Sequence, residues 1–140
     1  GIIFDVIVGK SNMRAASIKQ LCDAVENIRF HCQVDNMSEF IFNADFALGA
    51  GGATTWERAK LGLPSAVTVV ANNQIEATQN AEKTGVIINL GFFSKVSSKS
   101  YFNILGLMIE SPERLRDMSD ACIRLFSDSA SSDVVDLIVN

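Results

Sequence analysis

Asp45-Phe46-Ala47-Leu48-Gly49-Ala50-Gly51-Gly52-Ala53-Thr54-Thr55-Trp56-Glu57 is the stretch whose reading decides the fold. An apolar run ends abruptly in small residues, and a helix-capable segment follows at once. That order predicts a glycine-rich turn at the carboxyl end of a strand and at the N-terminus of a helix. Backbone N–H groups and the positive end of the helix dipole then converge on one spot, which suits an anion, phosphate above all. Gly51 and Gly52 have no side chain to hold a ligand away from the backbone. Thr54 and Thr55 add hydroxyl donors, and Glu57 sits one turn into the helix, where its carboxylate can accept from a sugar diol. Strand-to-helix turns with glycines are also common as plain structure, so the motif alone leaves a structural role open beside a binding one.

Upstream of this turn, residues 2–8 are apolar apart from Asp5 and rich in β-branched side chains, as expected of a strand covered on both faces. Residues 9–12 form a turn, and Ile18, Leu21, Cys22 and Val25 then repeat as one helix face. Residues 28–34 read as a second strand. Residues 35–38 supply turn and N-cap residues before a short helix with Phe40, Ile41 and Ala44 inside. Downstream, the helix after the glycines ends near Lys60, with Gly62 at C′ and Pro64 barring continuation. Residues 65–71 make a fourth strand, residues 72–74 a turn, and the next helix closes at Gly85. A fifth strand spans 86–90, and 91–99 reads as a polar loop. Tyr101, Ile104, Leu105 and Met108 line one further helix, and Leu115, Met118, Cys122 and Leu125 another that opens at Ser111-Pro112. Val134, Val135 and Ile138 suggest a short closing helix, so residues 92–140 form a C-terminal helical part.

Strands alternating with helices predict an α/β class with a Rossmann-like parallel sheet flanked by helices. Ligands in such sheets sit beyond the carboxyl ends of the strands. The turns at 9–12, 35–38, 49–55 and 72–74 share that edge. Their glycine, threonine, asparagine and glutamine suit a nucleotide better than an apolar metabolite.

The bulk properties narrow the function classes. The chain has 140 residues, 48% of them hydrophobic and 20% charged, which fits one globular domain. A net charge of −4, with twelve scattered lysines and arginines, offers nucleic acid and acidic membranes no general attraction. No run approaches the roughly 20 apolar residues of a membrane span. Cys22, Cys32 and Cys122 share no metal-ligand spacing and read as buried free thiols in a reducing, cytoplasmic setting. No metal site and no cofactor is expected. His31, the one histidine, falls inside a strand and reads as a satisfied core or edge residue rather than a catalytic base. Glu76 and Glu82 read as solvated helix charges, and Trp56 as packing its helix onto the sheet, with base stacking the lesser alternative. The chain starts at Gly1 and enters a strand at once, which suggests a piece of a longer protein.

Residues 44–58 followed by Leu61-Gly62-Leu63-Pro64-Ser65 resemble the signature of the UDP-sugar hydrolase family of pseudaminic acid biosynthesis. Members release UDP from a 2,4-diacetamido-2,4,6-trideoxy-altropyranose nucleotide. Polysaccharide and spore-coat synthesis proteins look similar, as does, more distantly, the transferase that makes lipid II. Supporting matches are Phe4-Asp5-Val6-Ile7-Val8-Gly9, Asn36-Met37, Asn73-Gln74 and Asn80-Ala81, so the resemblance covers about residues 4–91.

The resemblance implies the C-terminal half of a GT-B fold, in which this domain holds the UDP. Gly51, Gly52, Ala53, Thr54 and Thr55 would take the pyrophosphate, and Glu57 would accept from the ribose hydroxyls. The segment around Met37 would border the uracil, and Asn73 and Gln74 would face the diphosphate or the sugar. Two departures carry consequences. The family's first strand, ending in a Gly-Gly-Ser type loop, has no counterpart here, so a strained sheet, closure by an unusual contact, or completion by a partner chain such as a second copy are the expectations. The N-terminal domain, which supplies the family's catalytic histidine, is also absent, and His31 does not correspond to that residue. The chain alone is therefore expected to bind without turning over. A UDP-dependent glycosyltransferase half and a non-catalytic binding or scaffolding domain stand as alternatives.

Overall fold

The computed structural model describes residues 1–127 and divides into two compact units, Gly1–Met37 and a second that begins at Ser38. It is an α/β protein with parallel sheets flanked by helices.

The first unit is a βαβ arrangement. Strand β1 (Phe4–Val8) pairs in parallel with β2 (Ile28–Cys32), Phe4 opposite Ile28 and Val8 opposite Cys32, and helix α1 (Ala15–Asp23) connects them. Of the expected inner helix face, Cys22 is buried, but Leu21 is 72% and Val25 43% exposed. The reason is local: two strands offer a narrow face, and the row Ala15, Ile18, Cys22 at three- and four-residue spacing fills it. The chain leaves β2 through Gln33, whose φ of 55° is left-handed, and Gln33 accepts from the Lys10 N–H through its side chain at 3.0 Å. Here the expectation for His31 holds. Its Nε2 lies 2.8 Å from Asp5 Oδ1, on the same carboxylate that Arg29 grips through Nε and Nη2 at 2.9 and 3.0 Å. The Arg29 hydrogen bonds hold the Asp5 carboxyl below its ordinary range, with His31 adding to the effect and partial burial opposing it.

Helix α2 (Met37–Asn43) leads into the second unit, with Ile41 buried as expected but Ala44, beyond the helix end, exposed. There β3 (Ala47–Ala50), β4 (Ser65–Val69) and β5 (Ile87–Phe92) form a parallel sheet in the order β3-β4-β5. Every residue of β4 is buried, which explains its unbroken apolar character: the central strand is covered on both faces. Successive side chains point to opposite faces. Val67 joins Ala59, Ala81, Val86, Ile87 and Cys122 on one side, with Trp56 packed against them. Ala66 joins Ile104, Met108 and Met118 on the other. Trp56 thus fastens its helix to the core, as read from sequence.

Helix α3 (Ala53–Lys60) ends in a Schellman turn. Gly62, at φ 79°, donates to Ala59 O at 3.0 Å and Leu63 to Arg58 O at 3.0 Å, so two terminal carbonyls are satisfied before Pro64 stops the chain. After β4, a 3-10 turn (Asn72–Gln74) opens α4 (Ile75–Lys83), which Gly85 closes at φ 82°. β5 runs two residues beyond the expected boundary. Gly91, at φ 97°, sits at a register shift opposite Val67/Thr68, so the glycine makes a bulge inside the strand instead of ending it. Glu82 is also more than a solvated charge: it accepts from the Asn89 N–H of β5 at 2.7 Å. Helices α5 (Ser98–Glu110) and α6 (Pro112–Ser127) follow, α5 opening with a Ser97–Ser100 capping box. The helix suggested around Val134, Val135 and Ile138 lies outside the described residues.

The cysteines divide two to one. Cys22 and Cys122 are buried, but Cys32, at the end of β2, is exposed, contrary to the expectation for all three. Burial pushes the Cys122 thiol up to about 11. A thiol reagent at pH near neutrality should therefore modify Cys32 in the native protein and reach Cys22 and Cys122 only in denaturant, as mass spectrometry of the labelled peptides would record. Rapid native labelling of Cys122 would contradict the packing of α6 on the sheet.

Candidate functional site

The glycine-rich turn is built as its sequence demands. β3 ends at Ala50, and Gly51 N–H donates to Thr68 O at 2.9 Å, which keeps the chain beside β4 for one more residue. Gly52 then takes φ 107° and ψ −161°, a conformation open in practice to glycine alone, and serves as the N-cap of α3. It brings no side chain to accept from the first turn, and no side-chain cap is formed. The Thr55 N–H turns back to Gly52 O at 3.1 Å, and the helix starts without a side-chain acceptor for the N–H groups before it, the arrangement that favours an anion there.

Gln74 fixes this turn against the next one. Its Nε2 donates to Gly51 O at 3.2 Å, and its Oε1 accepts from the Val70 N–H at 3.0 Å, so one amide ties the end of β3 to the end of β4. Thr78 Oγ1 donates back to Gln74 O at 2.7 Å. The fit is close. A Cβ built on Gly51 would lie 3.0 Å from Gln74 Oε1 and 3.3 Å from Thr78 Oγ1, so the glycine is required by its neighbours as well as suited to a ligand.

The residues singled out from sequence are thus placed as follows. Gly51, Gly52, Ala53, Thr54 and Thr55 share one turn at the carboxyl end of β3, with Thr54 exposed and Thr55 buried. Glu57 is exposed one turn into α3. Gln74 touches the turn, but both ends of its amide are engaged with backbone, so it acts first as a clamp between loops. Asn73 is exposed beside it. Met37 belongs to the first unit, opens α2 and is 41% exposed.

Sequence reasoning missed Arg58. Its guanidinium lies over Gly49 and reaches Ala50 O through Nη2 at 3.4 Å, immediately before the turn, while its Nε is buried with no acceptor. Burial pulls its pKa below the ordinary value, and the neighbouring Glu57 carboxylate opposes that pull. The one sequence signal was the run of small residues at 49–52, which makes room for a large side chain without saying which one.

Among the described residues, no group of histidine, cysteine, aspartate or glutamate is placed to hold a metal ion. None of the described helices is long and apolar enough to cross a membrane.

The fold and turn together define an α/β protein with a glycine-capped helix at the carboxyl edge of a parallel sheet. Comparison with known proteins adds one distant likeness. The chain is similar to one of the subunits of an aspartyl/glutamyl-tRNA(Asn/Gln) amidotransferase from Nostoc punctiforme (strain ATCC 29133 / PCC 73102), at 29% identity over 90 residues. The match covers 63% of this chain but 18% of that protein's length. No family model matches the chain, and no solved structure matches it.

Proposed function

We propose that this chain is the nucleotide-binding part of a UDP-sugar hydrolase acting in nonulosonic acid or surface-polysaccharide synthesis in the cytoplasm. The observation that carries the reading is the Gly52-capped start of α3, clamped by Gln74 to the turn after β4. The diphosphate of a UDP-sugar sits against the Gly51–Gly52 backbone and the first turn of α3, where N–H groups and the helix dipole favour negative charge. Glu57 accepts from the ribose hydroxyls, and Asn73 faces the sugar side. In the complete enzyme, water displaces UDP from the anomeric carbon. This part stabilises the charge that develops on the leaving diphosphate, and the residue that activates water belongs to an N-terminal domain. The amidotransferase likeness spans 18% of that protein's length, and no tRNA role is taken from it.

Calorimetric titration with UDP, using AMP as the control nucleotide, tests the reading. UDP is expected to bind selectively. Glu57→Ala is expected to weaken it by about 1.5–3 kcal/mol, the range for a lost hydrogen bond to a charged group. Equal affinity of the variant and the parent would remove Glu57 from the site, and AMP binding as tight as UDP would remove the uridine nucleotide.

A further inference from the structure

We propose that Arg58 is the cation of this site, its guanidinium meeting the diphosphate where the chain leaves β3; the assignment rests on the nucleotide reading above. Helical side chains lean back toward the N-terminus of their helix. Arg58 follows that rule: from the second turn of α3 it reaches back over the backbone of β3. A Cβ built on Gly49 would stand 2.7 Å from Nη1, 3.0 Å from Cζ and 3.1 Å from Nη2, so the absence of a side chain at 49 is what admits the guanidinium.

The cation has little to hold it there. Its one hydrogen bond, to Ala50 O, is long at 3.4 Å, and Nε is buried without an acceptor. Among the described residues, the ion pairs formed by lysine, arginine and histidine involve Lys19, Arg29 and His31; Arg58 contacts no carboxylate, and Glu57 acts on it only through its longer-range field. A guanidinium offers five N–H donors in a rigid fork. Burying it without an anion is costly, because desolvation is not repaid by a partner. The same fork matches phosphate oxygens in a paired geometry that lysine cannot reproduce. Ala50 is the residue immediately before Gly51, so this charge, in contact with no anion, lies at the entrance of the turn that the nucleotide reading gives to the diphosphate. Covering the backbone of β3 is a role that any long side chain fills. Holding a half-buried positive charge at that point is not.

The test separates charge recognition from packing. Arg58→Met keeps the length and apolar contact of the side chain and removes the fork; Arg58→Lys keeps a point charge. Each is titrated with UDP by calorimetry over a range of NaCl concentrations, and with uridine by NMR shift perturbation. Arg58→Met is expected to weaken UDP about 10- to 100-fold, to flatten its salt dependence and to leave uridine unchanged, with Arg58→Lys in between. Arg58→Met binding UDP as tightly as the parent would overturn the assignment, as would equal losses for UDP and uridine. If Arg58→Met does not fold, Gly49→Ala carries the same comparison, because the added methyl displaces the guanidinium without removing it. Failure of the parent chain to bind UDP at all is a different result: it overturns the nucleotide reading and this assignment with it.

Discussion

Gly52→Val is expected to lose UDP binding altogether in a calorimetric titration and to lower the urea midpoint of unfolding. Two effects act in the same direction. Gly52 holds φ 107° and ψ −161°, a region where a β-branched residue clashes with its own backbone, and residues forced there cost about 1–3 kcal/mol. A Cβ at this position also stands 3.4 Å from Gln74 Nε2, so the two valine methyls crowd the clamp and the surface over which a diphosphate would approach. The chain can relieve the strain by rotating residue 52 out of its N-cap geometry, but that turns the first N–H groups of α3 away from their common focus. A variant that keeps both parental stability and UDP affinity would show that the focus is not used. Loss of stability with unchanged affinity would assign the glycine to folding alone.

Val67→Asp is expected to abolish cooperative unfolding of the second unit, monitored by circular dichroism through a urea titration. Val67 is fully buried in the central strand, in one cluster with Ala59, Ala81, Val86, Ile87 and Cys122. These neighbours provide no cation, and the one side-chain donor among them, the weak Cys122 thiol, is turned to Val86 O at 3.8 Å. An uncompensated buried charge costs about 3–5 kcal/mol, against the roughly 5–15 kcal/mol that holds a typical domain together. The lost apolar contacts add to that cost. A parental transition in this variant would mean that β4 is not the covered centre of its sheet.

Several features were legible because they depend on a few consecutive residues. The order Gly51-Gly52 then Ala53-Thr54-Thr55 predicts strand, turn and helix by local sterics, and the structure places each where expected. Gly62 with Pro64, Gly85, and Ser111-Pro112 marked helix ends for the same reason. Gly91 misled because glycine serves both loops and bulges, and the choice rests on the register of the neighbouring strand. Leu21, Val25 and Cys32 misled because apolar periodicity reports what a chain could bury, whereas the extent of the partner surface decides what it does bury.

By itself the sequence determined the α/β class, the alternation of elements and the glycine-rich entry to α3, since each follows from backbone conformational preference over short windows. Tertiary structure decided the rest. The division of the strands into β1-β2 and β3-β4-β5, the Gln74 amide joining two loops, the carboxylate of Asp5 shared by Arg29 and His31, and Arg58 lying over Gly49 all join residues distant in sequence or packed in three dimensions. Side-chain partners are chosen by what packing brings within a few ångströms, and local pattern carries no record of that choice.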